Sequence, residues 1–309
     1  MSDNPSDERF NQAVKQVEAN TVSLYPLWMQ NWAVNLGNAR HGRSLDKIFS
    51  QPPCERVLVV GRGPSLRKNI DVLAEKGFKG TIVSSDGALP LLQDRGVSPQ
   101  FSVTVDGSPL IAKWYDAEND GRCRAILPVT AHPSVFNKCI RNAYSVHWYI
   151  PELDSENFKG ATVLLQLQTV GEANPTGVSR MNGAGNCGLA AIVFSYSILR
   201  AKQIVLIGMD GGYPPDTPLS ELHYHDNIFK ACGMDPAAAA QLYKVLYVPS
   251  MGQYCIVDPV FEVYRKTFSM LAKQLSQEGV RITNSTEGGC LVEEGVQVER
   301  LATILATSL

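Results

Sequence analysis

The segment VLVVGRGPSL, residues 57–66, is the feature that most constrains the fold of this 309-residue chain. Four consecutive apolar residues without polar alternation are typical of a strand buried on both faces, as in a parallel sheet. The run ends in two glycines, a proline and a serine, and a helical pattern follows. Glycine lets the backbone turn sharply, and proline fits the first turn of a helix. The segment therefore predicts a buried strand that turns directly into a helix.

Short apolar runs alternate with helical patterns along most of the chain. Residues 1–50 have helical spacing and are predicted to form an N-terminal helical extension, which the segment SQPPCER ends. Residues 51–309 are predicted to form one doubly wound α/β domain with a mainly parallel sheet. The predicted strands are 56–60, 81–84, 101–105, 125–127, 145–150, 203–207 and 280–283, and the predicted helices include 65–76, 88–94, 133–138 and 186–200.

Charge and cysteine content exclude several classes of function. The chain has 28 Lys and Arg against 30 Asp and Glu, a net charge of −2, which provides no basic field for nucleic acid or an acidic membrane. No apolar run reaches the ~18 residues that span a bilayer. The first residues are polar, unlike a secretory signal, and the 7 cysteines are scattered without a CxxC pair. We therefore expect a globular cytoplasmic protein with reduced thiols.

Small and acidic residues follow four of the predicted strands at the point where each strand ends. These segments are Gly61-Arg62-Gly63-Pro64-Ser65, Ser84-Ser85-Asp86-Gly87, Asp106-Gly107-Ser108 and Gly208-Met209-Asp210-Gly211-Gly212. Open parallel sheets bind their ligands beyond the carboxyl ends of the strands. Ordinary turns favour the same residue types, which is the alternative interpretation. Four such segments on one edge favour a ligand site.

The glycine corner, Gly61–Leu66, has the properties of an anion site. Free N–H groups at a helix start, together with the helix dipole, attract phosphate. Ser65 would either cap the helix or bond a phosphate oxygen. Leu66 stands where the dinucleotide fingerprint has its third glycine, and no Walker lysine is present. A tight turn without a ligand is the alternative.

Four further residues are candidates for donor binding or metal binding. Asp86, with Gly87 beside it, would bind a ribose hydroxyl or cap the next helix. Asp106 and Asp210, taken to follow neighbouring strands, would hold Mg²⁺ or act as general bases, with turn or cap aspartates as the alternative. Asn186, in the glycine-rich segment NGAGNCG, would form a second anion site at a helix start.

Two histidines lie in the segment LHYHD, residues 222–226. The spacing places His223 and His225 on the same side of an extended segment, and one of them would act as a general acid or base. A metal pair lacks a third ligand nearby, and histidines of an ordinary loop are the remaining alternative. The two long loops predicted at 151–185 and 208–236 are of a length that is usually functional. We expect the second to close over a bound ligand.

Five segments carry a resemblance to a known family: VVGRGPSL, SDGALPLL, GVSPQFSVTVDG, IGMDGGY and NSTEGG. In their order and spacing over roughly residues 30–290 they resemble the family that joins two groups, the archaeal 6-hydroxymethylpterin diphosphokinases (MptE-like proteins) and the bacterial Maf-type flagellin glycosyltransferases. The resemblance implies a Rossmann-like nucleotide-binding core, related in shape to sialyltransferases that use CMP-activated sugars. It also implies that Gly61–Leu66 lies at or beside the nucleotide phosphates.

The two groups of this family imply different reactions. The pterin enzymes transfer diphosphate from ATP with Mg²⁺, and the segment TVDG, which contains Asp106, resembles their aspartate-bearing strand end. The Maf-type core ends in a run like NSTEGG, and a histidine follows a strand end like GMD. The long flanking regions of full-length motility factors are not in this sequence, which argues against flagellin as the acceptor.

Together these features predict a cytoplasmic transferase that binds a nucleotide-activated donor at Gly61–Leu66, Asp86 and the Asn186 loop. The leading helices and the NSTEGG run favour a glycosyltransferase that uses a CMP-activated sugar and a small-molecule or protein acceptor. One alternative is a Mg²⁺-dependent diphosphokinase that acts from ATP on a pterin-like small alcohol. A second alternative is a non-catalytic nucleotide-binding module.

Overall fold

The computed structural model describes residues 5–154 and 159–306 of the chain. The strands of these residues are β1 Arg43–Ser44, β2 Arg56–Val60, β3 Thr81–Ser85, β4 Phe101–Val103, β5 Arg124–Pro128, β6 Ser145–Pro151, β7 Arg180–Met181, β8 Gln203–Ile207, β9 Lys244–Val248, β10 Gln253–Val257, β11 Arg281–Asn284 and β12 Val296–Val298. The helices are α1 Pro5–Asn20, α2 Tyr25–His41, α3 Asp46–Phe49, α4 Leu66–Lys76, α5 Leu89–Gln93, α6 Pro133–Arg141, α7 Ala161–Gln168, α8 Cys187–Ser197, α9 His225–Ala231, α10 Pro236–Ala240, α11 Pro259–Gln277 and α12 Leu301–Ala306. The 3₁₀ turns include Asp86–Ala88, Pro109–Tyr115 and Leu219–Glu221. None of the helices in these ranges has the length and apolar character needed to cross a membrane.

One parallel sheet contains the described strands other than β9 and β10. Its order is β1-β6-β5-β4-β3-β2-β8-β11-β12, with β7 paired beside β6. Neighbouring strands within it run in the same direction, and helices cover both faces. The predicted Rossmann-like, doubly wound α/β fold is therefore confirmed. The strands β9 and β10 form a separate antiparallel hairpin, which the sequence patterns did not predict.

The apolar run of β2 is buried on both faces of the sheet. Val57 and Val59 pack into the hydrophobic cluster on one face, and Leu58 and Val60 pack into the cluster on the other. All four side chains are inaccessible to solvent. Burial of each stabilises the fold by ~1.5–3 kcal/mol relative to exposure. This double burial is why the strand shows no polar alternation.

The N-terminal region contains the helices α1, α2 and α3 and the strand β1, and it supports the carboxyl edge of the sheet. The buried side chain of Asn31 in α2 donates hydrogen bonds to the carbonyl oxygens of Gly107 and Thr130, at 2.9 and 3.0 Å. These carbonyls belong to the loops after β4 and β5, so α2 holds the loop that carries Asp106. The strand β1 of the same region pairs with β6. The division of the chain at residue 50 stays a prediction.

Both segments predicted as long loops contain regular structure. The first, 151–185, includes α7 and β7, and its residues 155–158 lie outside the described residues. The second, 208–236, includes the 3₁₀ turn Leu219–Glu221, all of α9 and the first residue of α10. The expectation that 222–226 runs extended is wrong, because the chain turns at His223 and enters a helix at His225.

Candidate functional site

A cavity of about 560 Å³, here called the main cavity, opens where β2, β3, β4 and β8 end. The predicted strand-end segments meet there, through the lining residues Gly61, Arg62, Gly63, Pro64, Asp86, Gly87, Asp106 and Asp210. Asn186 and His223 also line it, whereas Ser65, Leu66 and His225 do not. An aromatic wall completes it, formed by Trp114, Tyr213, Tyr224, Phe261 and Tyr264.

The glycine corner lies in close contact with the residues that follow β8. The N–H group of Gly63 donates a hydrogen bond of 2.7 Å to the carbonyl oxygen of Gly208. A Cβ atom at Gly63 would stand 1.8 Å from Oδ2 of Asp210, and one at Gly61 would stand 2.5 Å from the Gly208 carbonyl oxygen. These two positions therefore need glycine so that adjacent strand ends can approach each other.

The start of α4 already has a negatively charged partner within the protein. The Ser65 N–H group donates to the Asp210 carboxylate at 3.3 Å, and the Leu66 N–H group donates to the carbonyl oxygen of Gly63. Ser65 makes no side-chain cap, because its hydroxyl donates instead to Oδ2 of Asp210 at 2.8 Å. The expectation of free N–H groups at Ser65 and Leu66, and of a Ser65 cap, is therefore wrong. A phosphate at Gly61–Leu66 stays a prediction.

Asp86 and Asp210 are buried acidic residues in the wall of the main cavity. Asp86 is 4% exposed and accepts hydrogen bonds from the Gly87 N–H group at 2.6 Å and the Thr104 hydroxyl at 3.0 Å. Burial raises the pKa of Asp86 and the pKa of Asp210, each to about 6. Asp86 is not a side-chain cap of α5, which begins at Leu89. Its hydrogen bonds fix it within the wall of the cavity.

Asp106 and Asp210 do not follow neighbouring strands, contrary to the sequence-based expectation. The strands β4, β3, β2 and β8 are consecutive in the sheet, so the ends of β4 and β8 are separated by three interstrand spacings, about 14 Å. The prediction that these strand ends adjoin and share Mg²⁺ is wrong, because chain order does not give sheet order. No group of three His, Cys, Asp or Glu side chains in the described residues is arranged to hold a metal ion.

A magnesium ion of the kind that the family resemblance implies would find one suitable carboxylate here. Asp106 is exposed to the main cavity, and its Oδ1 atom accepts a hydrogen bond of 2.8 Å from the Ser108 N–H group. Mg²⁺ is often held by one or two carboxylates together with substrate phosphates. Asp106 fits that role. Asp210 does not, since its carboxylate is buried and bonded to Ser65.

Three exposed basic side chains line the mouth of the main cavity, and we call them the basic rim: Arg62, Lys113 and His223. The Arg62 guanidinium lies 4.1 Å from the Trp114 ring centroid, and the Lys113 ammonium lies 4.4 Å from it. Within the part of the chain that the structure describes, none of the three forms a salt bridge. Burial, followed by the charges of Arg62 and Lys113, lowers the pKa of His223. Sequence reasoning missed Lys113 and Trp114, since no motif marks them.

The helix α8 begins at the main cavity with free backbone donors. Asn186 is its N-cap, and its Oδ1 atom accepts a hydrogen bond of 3.0 Å from the Leu189 N–H group. The N–H groups of Cys187 and Gly188 donate to no protein acceptor in the described residues. Both residues line the cavity. The free helix start that faces the cavity is therefore that of α8, while Asn186 itself acts as a cap.

The structure separates the two predicted histidines. The ring of His225 stacks on Phe229, and its Nδ1 atom lies 3.1 Å from the Tyr243 hydroxyl. His223 instead lies at the cavity mouth, and its backbone N–H group donates to the Tyr213 hydroxyl at 3.1 Å. The expectation that both face the same side is wrong, because the chain enters α9 between them. His223 is the histidine that can reach a bound ligand.

The sequence matches proteins whose names describe one reaction. A family model described as 6-hydroxymethylpterin diphosphokinase MptE-like matches residues 30–216. Two relatives are named 6-hydroxymethyl-7,8-dihydropterin pyrophosphokinase. The protein from Methanothermobacter thermautotrophicus is 31% identical over 161 residues, which are 52% of this chain and 59% of that protein. The protein from Methanocaldococcus jannaschii is 24% identical over 172 residues, which are 54% of this chain and 64% of that protein. The chain thus matches less than two thirds of the length of either relative.

A solved structure extends the likeness beyond the region that the family model covers. The structure of MAf glycosyltransferase from Magnetospirillum magneticum AMB-1 superposes with a TM-score of 0.57 at 14% identity, over 87% of this chain and 39% of that chain. At this identity the likeness concerns the fold alone. The family model covers more than half of the chain, including the strand ends with Asp86, Asp106 and Asp210. The chain belongs to the 6-hydroxymethylpterin diphosphokinase MptE-like family.

Proposed function

We propose that this chain is a transferase that binds a nucleotide-activated donor in the main cavity. The observation that carries the proposal is the basic rim, in which Arg62 and Lys113 stand at the cavity mouth and form no salt bridge within the described residues. Two cations that form no salt bridge attract phosphate, and Arg62 can form paired hydrogen bonds to its oxygens. The free N–H groups of Cys187 and Gly188 at the start of α8 add further donors. The donor phosphate would lie between the basic rim and α8.

The rest of the main cavity suits the nucleoside part of such a donor. Its volume of about 560 Å³ is within the range of cavities that bind small molecules. Tyr224, Phe261 and Tyr264 present aromatic surfaces on which a planar base would stack. We infer that the ribose lies near Asp86 and Gly87, at the end of β3. The glycine corner would form the floor of the cavity under the phosphate.

Of the two candidate reactions, glycosyl transfer from a CMP-activated sugar is the one that requires no cation besides Arg62 and Lys113. A CMP-sugar carries a single negative charge on its phosphate, which Arg62 and Lys113 can neutralise by themselves. Departure of CMP leaves a second negative charge on that phosphate, and the same cations would stabilise it as it develops. The lowered pKa of His223 keeps its imidazole neutral near pH 7, the form that can remove a proton from the hydroxyl of the acceptor.

A diphosphokinase is the second candidate, and the names of the two relatives favour it. The donor would be ATP and the acceptor a small alcohol such as a hydroxymethylpterin. A magnesium ion bound with ATP would neutralise its additional phosphate charge. Asp106 would hold that ion at the end of β4, and Arg62 and Lys113 would bind the phosphate oxygens. His223 would again accept the proton of the acceptor hydroxyl.

Titration calorimetry with CMP, CDP and ATP, each with and without Mg²⁺, tests the proposal. Binding of CMP without metal, weakened about tenfold or more in Arg62→Gln and Lys113→Gln but unchanged in the exposed control Lys79→Gln, supports a donor phosphate at the basic rim. Release of AMP from ATP in the presence of a hydroxymethylpterin would favour the diphosphokinase. Binding without turnover of either donor would indicate a non-catalytic module. Failure of every nucleotide to bind would contradict the proposal as a whole.

A further inference from the structure

A second group of basic side chains lies at the amino-terminal end of the parallel strands, opposite the end at which the main cavity opens. In the parallel pairings Arg43 of β1 stands beside His147 of β6, and Arg124 of β5 stands beside Ser145 of β6. Residues in register on adjacent strands, and residues two apart on one strand, project from the same face. Arg43, Arg124 and His147 therefore share one face of the sheet. Lys47 from α3 completes the group, and together they line a cavity of about 320 Å³, here called the edge cavity.

Among the described residues, those that line the edge cavity include no acidic side chain. The full lining is Arg43, Lys47, Ile48, Gln51, Arg124 and His147. No salt bridge joins Arg43, Lys47 or Arg124 to a carboxylate in residues 5–154 and 159–306. Three like charges around a small cavity repel one another, and a bound anion would offset that repulsion.

Two of these cations are held in place by neighbouring side chains. Arg43 donates a hydrogen bond to the hydroxyl of Ser145, and Arg124 lies 5.3 Å from the ring centroid of Phe101. The guanidinium groups are thus positioned by the protein before a ligand arrives. Preorganised donors lose less conformational freedom on binding than mobile ones do.

His147 provides a second, independent observation. Its side chain is 4% exposed, and within the described residues its Nδ1 atom has no hydrogen-bond partner of normal geometry. Buried polar atoms are normally hydrogen-bonded, so a small reorientation of the ring toward a bound anion would provide this atom with a partner. Burial, followed by the charges of Arg124 and Arg43, lowers the pKa of His147 to about 4, and the backbone of Ser145 opposes this shift. The ring is therefore neutral near pH 7, and an oxygen atom of an anion would accept a hydrogen bond from its N–H group.

We propose that Arg43, Lys47, Arg124 and His147 form a second binding site, which takes inorganic phosphate or the phosphate group of a small phosphomonoester. Guanidinium groups recognise phosphate oxygens through paired hydrogen bonds, and Lys47 adds a point charge. The edge cavity lies where β5 and β6 begin, whereas the main cavity lies where the strands end, about 17 Å away along strands of five residues. The site is therefore distinct from the proposed donor site and does not depend on it.

NMR of the histidine rings tests this proposal on the full chain, which has 5 histidines. His147 reports on the edge cavity and His223 on the main cavity, so phosphate binding at the two places is resolved separately. Inorganic phosphate should shift the His147 ring signals in a saturable way. Lys47→Gln should weaken this binding about tenfold, because one charged partner is lost. The control Lys79→Gln removes an exposed lysine outside the edge cavity and should leave it unchanged.

Further ligands identify the source of the phosphate group. Tighter binding of glycerol 3-phosphate than of phosphate would support a phosphomonoester ligand, and equal binding would support phosphate itself. Acetate that shifts His147 with the same affinity would overturn the proposal, because it would show only general attraction of anions. Equal weakening by Lys47→Gln and Lys79→Gln, or an unperturbed His147 ring, would also overturn it. Arg43→Gln provides a second variant at the site with the same expected loss.

Discussion

The hydroxyl of Ser65 donates a hydrogen bond of 2.8 Å to Oδ2 of Asp210, and this bond joins the chain segments that follow β2 and β8. Asp210 also accepts from the backbone N–H group of Ser65. Its carboxylate therefore stands at the start of α4, where an external anion would otherwise bind. Charged side chains of the basic rim and the free start of α8 are consequently the groups left to recognise a phosphate.

Gly63→Ala should destabilise the protein and weaken nucleotide binding. The added methyl group would lie 1.8 Å from Oδ2 of Asp210, so the carboxylate or the corner must move. We expect a loss of about 2 kcal/mol or more in the free energy of unfolding, measured by urea denaturation. The control is Gly37→Ala in α2, where no atom lies within 4 Å and a gain of about 0.5–1 kcal/mol is expected. A Gly63→Ala variant as stable as the original protein would refute this account of the corner.

Asp86→Asn should change how stability depends on pH. The pKa of Asp86 is about 6 in the folded protein against a reference value of 3.8, so the folded state holds the proton more tightly than the unfolded state does. Tighter proton binding by Asp86 raises the free energy of unfolding by an amount on the order of 3 kcal/mol. This stabilisation is fully present below pH about 4 and is lost as the pH rises through about 6.

The Asp86→Asn variant does not undergo this loss, so it should gain stability relative to the original protein between pH about 4 and about 7. Urea denaturation of both proteins across that interval measures the difference. A ¹³C NMR titration of the carboxyl group provides an independent value of the pKa. A stability difference that stays constant across the interval would show that Asp86 does not titrate as its burial implies.

His223→Gln and His225→Gln should affect turnover differently. His223 lines the main cavity and His225 does not, so His223→Gln should lower the turnover rate by about 10²–10⁴-fold with little change in donor affinity. His225→Gln, the matched control, should change the rate by less than about threefold. Because the pKa of His223 is lowered, the rate should rise with pH and level off once the pH exceeds this lowered pKa. If neither substitution slows turnover, the proton transfer must fall to another group, such as Asp106 or Tyr213.

Asp106→Asn should separate the two proposed reactions. If Asp106 holds a magnesium ion with ATP, the substitution should weaken ATP binding about tenfold or more only when Mg²⁺ is present. Binding of CMP without metal should stay the same. Asp210→Asn should instead leave the effect of Mg²⁺ on ATP binding unchanged, because its carboxylate is bonded to Ser65 and does not hold the ion. Equal weakening of ATP binding with and without Mg²⁺ would exclude Asp106 as a magnesium ligand.

The amino-acid sequence by itself determined the class of fold and the edge at which the main cavity lies. The predicted strands 56–60 and 203–207 coincide with β2 and β8, because each is a continuous apolar run that ends at a glycine. Parallel strands share one carboxyl edge, so the small and acidic residues after them had to meet there. Local sequence patterns predict buried strands and turns well, since both depend on residues that are close in sequence.

Only the tertiary structure decided which of these residues touch. The sheet order places β8 beside β2, so that Asp210 meets Ser65, and it places β4 three spacings from β8, so that Asp106 and Asp210 are apart. The 3₁₀ turn Pro109–Tyr115 brings Lys113 to the cavity mouth without any recognisable motif. Sheet order and the position of such a turn depend on contacts between residues distant in the chain. Local sequence patterns do not predict these contacts.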